Sequence, residues 1–288
     1  METPEAQPKA SIVILTKNGS ETIRRCLGSL FNQETGFEFE VIAIDSGSTD
    51  GTLNILAEYP VKIEKIPPSD FNFGATKNLG FSVSEGEFVV FLSQDAIPVG
   101  NDWLQRMTTP LEDPEVMIVQ GLEMSGKQGF YWWREGLFWN TSEIRRWMER
   151  YDNIGLSCVT LAVRRKAWEK VKFDTVPFGE DKLFQKKAVE AGLRIVLAKD
   201  AFVEHTHNFT CRSLRNRLTN EGLGARVSGE SYSLRDMFGD ILKKQPYRNL
   251  VRGLRNGKIK NMAEFFYPLA RPFYIYKGMR FAREFQRD

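Results

Sequence analysis

A chain of 288 residues, 42% of them hydrophobic, is long enough to bury a substantial core as one large domain or as a domain with an appendage. Its formal charge of +3 hides an asymmetry: residues 1–207 hold 23 Lys and Arg against 30 Asp and Glu, net −7, while residues 208–288 hold 17 against 7, net +10. Three scattered cysteines without a paired spacing do not indicate a disulfide framework and favour a reducing, cytoplasmic setting; no run reaches the roughly 20 apolar residues of a membrane span, and METPEAQPKA lacks the apolar core of a signal peptide, so any membrane contact is expected to be peripheral.

Residues 1–9 are polar and Pro-containing and read as a disordered tail. Residues 11–15 (SIVIL) read as a buried strand ended by Thr16, Lys17, Asn18 and Gly19, with Ser20 placed to cap a helix over about 21–32. Residues 41–44 repeat the pattern, ending at Asp45 and the loop SGSTDG before a helix over 52–58. Two such units in succession favour parallel strands with right-handed crossovers. A third strand over 61–66 and a helix over 73–84 lead to FVVFL at 88–92, a strand apolar on both faces. Ser93, Gln94 and Asp95 stand at its carboxyl end, the edge beyond which open α/β sheets bind ligands. A lone carboxylate there, followed by the turn signal of Pro98 and Gly100, suits a hard divalent cation holding a phosphate; the alternative is a cap for a helix near Trp103.

In order and spacing, SIVILTKN at 11–18, IDSGSTDGT at 44–52, NFGATKNLG at 72–80, FLSQDAIP at 91–98 and FGED at 178–181 resemble the family 2 glycosyltransferases. The resemblance covers about residues 10–210. It implies a GT-A α/β fold, a mostly parallel sheet flanked by helices, with residues 211–288 left as a helical extension. The implied activity is transfer of a sugar, with inversion, from a nucleotide diphosphate donor to a hydroxyl of a glycan or lipid-linked acceptor in cell-surface polysaccharide synthesis. The QDA form of the metal motif and HTHNFT at 205–210 are most similar to bacterial rhamnosyltransferases, which points to thymidine diphosphate rhamnose as donor. A uridine diphosphate sugar enzyme and a non-catalytic nucleotide-sugar binding protein are the rival readings.

By this resemblance Thr16, Asp45 and Asp50 belong to the base and ribose site, where a carboxylate can accept the imide N–H of a pyrimidine. The same SGSTDGT also reads as a plain turn with a helix cap. Lys77, Asn78 and Gln94 fall on the nucleotide side. Asp95 and a histidine would hold Mg²⁺ or Mn²⁺ with diphosphate oxygens and waters completing the shell. The chain has two histidines, His205 and His207, two apart and so on one side of an extended segment; either can be the metal ligand, His207 being preferred and His205 reading equally as a structural histidine. Inversion needs a carboxylate to take the acceptor proton. Asp181 matches the family's base, with Glu180 second, although both could simply cap a helix over 182–192.

Trp132 and Trp133, in GFYWWREGLFWN, read either as an aromatic wall for an acceptor sugar or as core. A strand over 201–204 precedes the histidines. The basic, aromatic segment 211–288 is helix-prone, and Pro268 and Pro272 are expected to break any single long helix. Its composition fits an anchor at anionic lipid or a helical face packed on the rest of the protein or a second subunit; no recognised motif supports nucleic acid.

Overall fold

The computed structural model describes residues 7–137 and 139–286. The chain forms two compact units. One holds the chain up to Glu123 with Leu156–Thr175 and Phe184–His205; the other holds Met124–Gly155, Val176–Leu183 and the chain from Thr206 on. A division at residue 210 is thus replaced by five passages between units. Phe130, Tyr131 and Trp132 are buried with Leu214, Leu218, Ala263 and Tyr267 and not with the sheet.

The first unit is built on an eight-stranded sheet of strands β1 (Ala10–Thr16), β2 (Phe39–Asp45), β3 (Val61–Lys65), β4 (Phe88–Leu92), β5 (Ala96–Pro98), β6 (Val116–Met124), β7 (Thr160–Arg164) and β8 (Arg194–His205). Their order is β3-β2-β1-β4-β7-β6-β8-β5. The first four in that order run parallel, as two successive strand–loop–helix units require; β7 pairs antiparallel with β4 and β6, and β5 antiparallel with β8. Helices α1 (Ile23–Leu30), α2 (Thr52–Leu56) and α3 (Phe73–Val83) link the parallel strands, and α4 (Trp103–Thr108) follows β5. Ile12, Ile14, Val41, Ala43, Val90 and Leu92 make one continuous core with Ile23, Leu27 and Leu30 of α1. Ser20 does not cap α1, which starts at Ile23; its N–H goes to Asp50 instead. Residues 7–9 are no tail, since Lys9 bonds Glu38 and Phe88 through its backbone and Gln7 reaches the Glu85 carbonyl; residues 1–6 lie outside the described ones.

The second unit is helical, with α5 (Tyr131–Arg134), α6 (Ser142–Arg150), the first turn of α8 (Glu180–Glu190), α9 (Cys211–Val227), α10 (Leu234–Ile241), α11 (Lys244–Arg255) and α12 (Met262–Phe281); α7 (Arg165–Lys170) belongs to the sheet unit. Thr210 and Ser233 close capping boxes at the starts of α9 and α10. Asp240, fully buried, accepts from the Ser142 amide at 2.7 Å and so caps α6 from a distance. The carboxylate of Glu264 on α12 accepts from the Tyr131 amide at 2.6 Å and from Arg134 at 3.2 Å, which fastens α5 to α12. Contrary to expectation, α12 runs through Pro268 and Pro272 as one helix of 20 residues. Pro268 can give no N–H to the Glu264 carbonyl four residues back, and the Trp132 indole N–H fills that place at 2.8 Å.

Candidate active site

The carboxyl ends of β1, β2 and β4 carry the nucleotide-side candidates. The β1–β2 register sets Thr16 opposite Asp45, and the Thr16 hydroxyl donates to Asp45 Oδ2 at 3.2 Å. Asp45 Oδ1 accepts the amides of Gly47 and Ser48, each at 2.9 Å, and Oδ2 also accepts the Ser48 hydroxyl. Burial works to raise its pKa, but these bonds outweigh burial and hold it below the usual carboxylate range. With both oxygens engaged twice, Asp45 organises the loop, and the imide contact expected of it requires a hydroxyl donor to turn away. Asp50 accepts from Thr52 N and Oγ1 and from Ser20 N; the Thr52 hydroxyl foremost keeps it ionised well below its ordinary range.

Two residues of the SIVILTKN motif, neither with a site role expected from sequence, complete this edge. Lys17 Nζ donates to the carbonyls of Ser46 and Gly47 at 2.7 and 2.9 Å, and Asn18 Oδ1 accepts the Thr49 amide at 2.9 Å. Gln94 is a bracket here: its amide oxygen takes the Lys17 N–H and its amide nitrogen gives to the Lys17 carbonyl, both at 3.1 Å. A Cβ at Gly19 would come within 2.4 Å of that amide oxygen, so a larger residue there would displace the Gln94 side chain from its bracket.

Asn78, expected on the nucleotide side, bonds to its own chain. Its Oδ1 accepts the Trp168 indole N–H at 2.8 Å and the Phe173 amide at 3.1 Å, and its Nδ2 donates to the Phe173 carbonyl at 2.9 Å. These bonds hold the 168–173 segment, whose Trp168 stacks on Phe81 at 4.8 Å, and leave one Nδ2 hydrogen uncommitted. Lys77 is buried, its ammonium 5.3 Å from the centre of the Phe73 ring and 5.8 Å from that of Phe173.

Pairing of β5 with β8 puts Ala96 opposite His205 and thereby brings Asp95 to the histidine. His205 Nε2 is 3.4 Å from Asp95 Oδ1, and its Nδ1 is 2.8 Å from Glu123 Oε2. Burial lowers the imidazole pKa, but the two carboxylates prevail and raise it to about 9. Once a divalent cation displaces the imidazolium proton, carboxylate oxygen beside imidazole nitrogen is a donor set that fits it, and the Nδ1–carboxylate bond is the orientation that a metal-binding histidine uses. Glu123 stands on β6, far in sequence from every motif, and only the sheet order reveals it. His207 is two residues beyond His205, in the second unit; its carbonyl accepts the Phe130 amide at 2.8 Å and its ring stacks on Phe209.

In the second unit the helix carrying the acids begins at Glu180, so Glu180 and Asp181 lie inside its first turn. Asp181 Oδ1 accepts the Lys182 amide at 2.8 Å. Gly179, with φ of +86°, lets the chain enter the helix. Trp132 is fully buried and bonded to Glu264, within an aromatic cluster of Phe130, Tyr131 and Tyr267. It is core, and no sugar can stack on it. Trp133 is half-buried, edge-on to Phe130 and Phe209, with the Arg217 guanidinium 5.9 Å from its ring.

The profile of Glycosyl transferase family 2 matches residues 11–172, more than half of the chain. The chain belongs to that family. This family 2 protein is 28% identical over 233 residues to the O-antigen chain rhamnosyltransferase WbaN of Salmonella anatum, covering 75% of this chain and 72% of that one. It is 24% identical over 226 residues, with the same coverage, to the O-antigen chain rhamnosyltransferase RfbN of Salmonella typhimurium. Among solved structures it superposes on a mannosyltransferase of Pyrobaculum calidifontis in complex with GDP-mannose and Mn²⁺, with a TM-score of 0.62 at 14% identity, covering 96% of this chain and 87% of that one. A glucosyl-3-phosphoglycerate synthase of Mycobacterium tuberculosis, in complex with Mn²⁺, UDP and phosphoglyceric acid, gives 0.54 at 19% identity over 76% and 75%. The family 2 chain has the GT-A fold that its motifs implied.

Proposed function

We propose that this glycosyltransferase moves rhamnose, with inversion, from thymidine diphosphate rhamnose to a hydroxyl of a glycan or lipid-linked acceptor in cell-surface polysaccharide synthesis, working in the cytoplasm against a membrane surface met by residues 211–288. The observation that carries the reading is the Asp95–His205–Glu123 arrangement beyond the β4 carboxyl end, in a chain whose relatives include two O-antigen rhamnosyltransferases. In this reading Asp95, His205 and His207 hold Mg²⁺ or Mn²⁺, with Glu123 orienting His205. The cation supplies Lewis-acid neutralisation of the leaving diphosphate. Asp45 and Asp50 fix the loop that faces the base and ribose, Thr16 presents a hydroxyl there, and Lys77 adds positive charge on the phosphate side. Asp181 takes the proton of the acceptor hydroxyl as its oxygen attacks the anomeric carbon, the diphosphate leaving from the opposite face; Glu180 contacts the acceptor. Trp133 is left as the aromatic residue for the acceptor ring.

Calorimetric titration with the free diphosphates tests the donor. Thymidine diphosphate lacks the ribose 2′-hydroxyl, so a site with no partner for that group binds it at least as tightly as uridine diphosphate. Uridine diphosphate bound tenfold more tightly would overturn the rhamnose assignment and leave transfer from a uridine diphosphate sugar.

A further inference from the structure

The inner face of α12 is buried through Ala263, Glu264, Tyr267, Pro268, Arg271 and Ile275. Its outer face shows Met262, Phe265, Phe266, Leu269 and Phe273, each between 38% and 57% exposed. Steps of three, one, three and four residues put them in a single stripe along the helix. The stripe is about 17 Å long at the helical rise, and Lys277 and Arg280, both exposed, continue that side of the helix in its last turns. An apolar strip of this extent on an outer helix face marks an interaction surface rather than a scatter of exposed side chains.

The neighbouring helix α11 supplies charge. Arg248, Arg252 and Arg255, at i, i+4 and i+7, line an open groove of about 790 Å³ together with Leu242, Tyr247 and Val251. Leu242 is 78% exposed, and the chain from residue 208 on carries a net +10. The two helices pack on each other within the second unit. No helix among the described residues is long and apolar enough to cross a membrane.

We propose that the outer face of α12 seats in the interfacial layer of an anionic lipid bilayer, with the arginine row of α11 on lipid phosphates. Phenylalanine and leucine enter the acyl boundary while guanidinium groups stay at headgroup level, the division of labour of an amphipathic interfacial helix. The charge selects the occupant. Anionic headgroups complement it, each basic residue near such a surface strengthening attachment, whereas a second copy would bring the same positive face against it. This deepens the membrane-facing role given to residues 211–288 and does not depend on which sugar is moved.

The test is co-sedimentation of the full chain, without donor, with vesicles of equal parts phosphatidylglycerol and phosphatidylcholine and with vesicles of phosphatidylcholine alone. Binding at least tenfold tighter to the anionic vesicles is expected. Phe266→Glu with Phe273→Glu, and separately Arg248→Glu with Arg252→Glu, should each weaken it at least tenfold, and neither pair should alter thymidine diphosphate affinity or the thermal midpoint. Equal binding to both vesicles, or binding indifferent to the phenylalanine pair, would overturn the proposal. So would a self-association that the phenylalanine pair abolishes in a protein that ignores vesicles. Loss of vesicle binding with nucleotide binding intact separates this proposal from the transferase reading.

Discussion

Gly179 and Gly224 meet backbone to backbone: a Cβ added at Gly179 would stand 2.7 Å from the Cα of Gly224. The loop that delivers Glu180 and Asp181 is therefore set by contact with α9, and its φ of +86° adds a second demand for glycine. Gly179→Ala meets both penalties, with backbone strain alone of about 1–3 kcal/mol. Gly224→Ala is milder, since its Cβ would approach a ring carbon of Phe178 at 3.0 Å, where a side chain can give way, and the Gly179 Cα only at 3.3 Å. Turnover and thermal midpoint should both fall further in Gly179→Ala than in Gly224→Ala; equal losses would show that the close approach does not set the loop.

Asp181→Asn keeps the shape of the first turn of α8 and removes the basic oxygen. Turnover should fall by roughly 10² to 10⁴, the usual contribution of a general base, with donor diphosphate affinity unchanged by calorimetry. Near-normal turnover would move the role to Glu180, whose Gln variant is the matched control.

Glu123 has no place in any motif, yet it holds His205 at 2.8 Å. Carboxylates that orient a metal histidine are worth roughly 10- to 100-fold in metal affinity. Glu123→Gln should weaken Mn²⁺ binding by that factor, while Asp95→Ala and His205→Ala abolish it, as read by titration of the metal alone. Diphosphate binding that is identical with and without EDTA in the unaltered protein would remove the cation from the site.

Glu221 links α9 to α12 through Arg271 at 2.9 Å, and Arg217 lies 3.0 Å away on its own helix. Burial pushes its pKa up, but Arg271 and Arg217 outweigh it and bring the carboxyl down from 4.5 to about 2. A depressed carboxylate stabilises the fold above its unfolded pKa and loses that contribution as pH falls through the folded one. The thermal midpoint should therefore decline between about pH 4.5 and 2, and Glu221→Gln should flatten that stretch while lowering the midpoint at neutral pH, because Arg271 stays buried without its partner.

The parallel half of the sheet was legible because each strand is a short apolar run closed by a polar loop and followed by a helix; Thr16, Asp45, Gln94 and Asp95 fell at strand ends for the same reason. What the motifs could not tell was whether a polar side chain at such an end faces a ligand or its own chain. Asn78 and Gln94 have the chemistry of either, and each bonds its own chain, to Phe173 and to Lys17. The antiparallel strands carry no mark of direction, so the meeting of Asp95 with Glu123 through β8 was invisible. Prolines in α12 misled because the missing helical bond is replaced from outside the helix. Trp132→Phe tests that replacement: leaving the Glu264 carbonyl unpaired should cost about 1–3 kcal/mol in denaturant unfolding.

The interleaving of the two units constrains how the chain is made. β8 is an inner strand of the sheet, flanked by β6 and β5, so the sheet cannot be finished before residue 205 has left the ribosome. Phe130, Tyr131 and Trp132 wait longer still, for partners on α9 and α12 that arrive some eighty to a hundred and forty residues later. During synthesis the nascent protein therefore carries an uncovered aromatic knot, and a chain truncated before Tyr267 retains it permanently. Neither unit is a cassette that recombination could exchange; divergence in what the helical unit meets has to proceed by substitution in place.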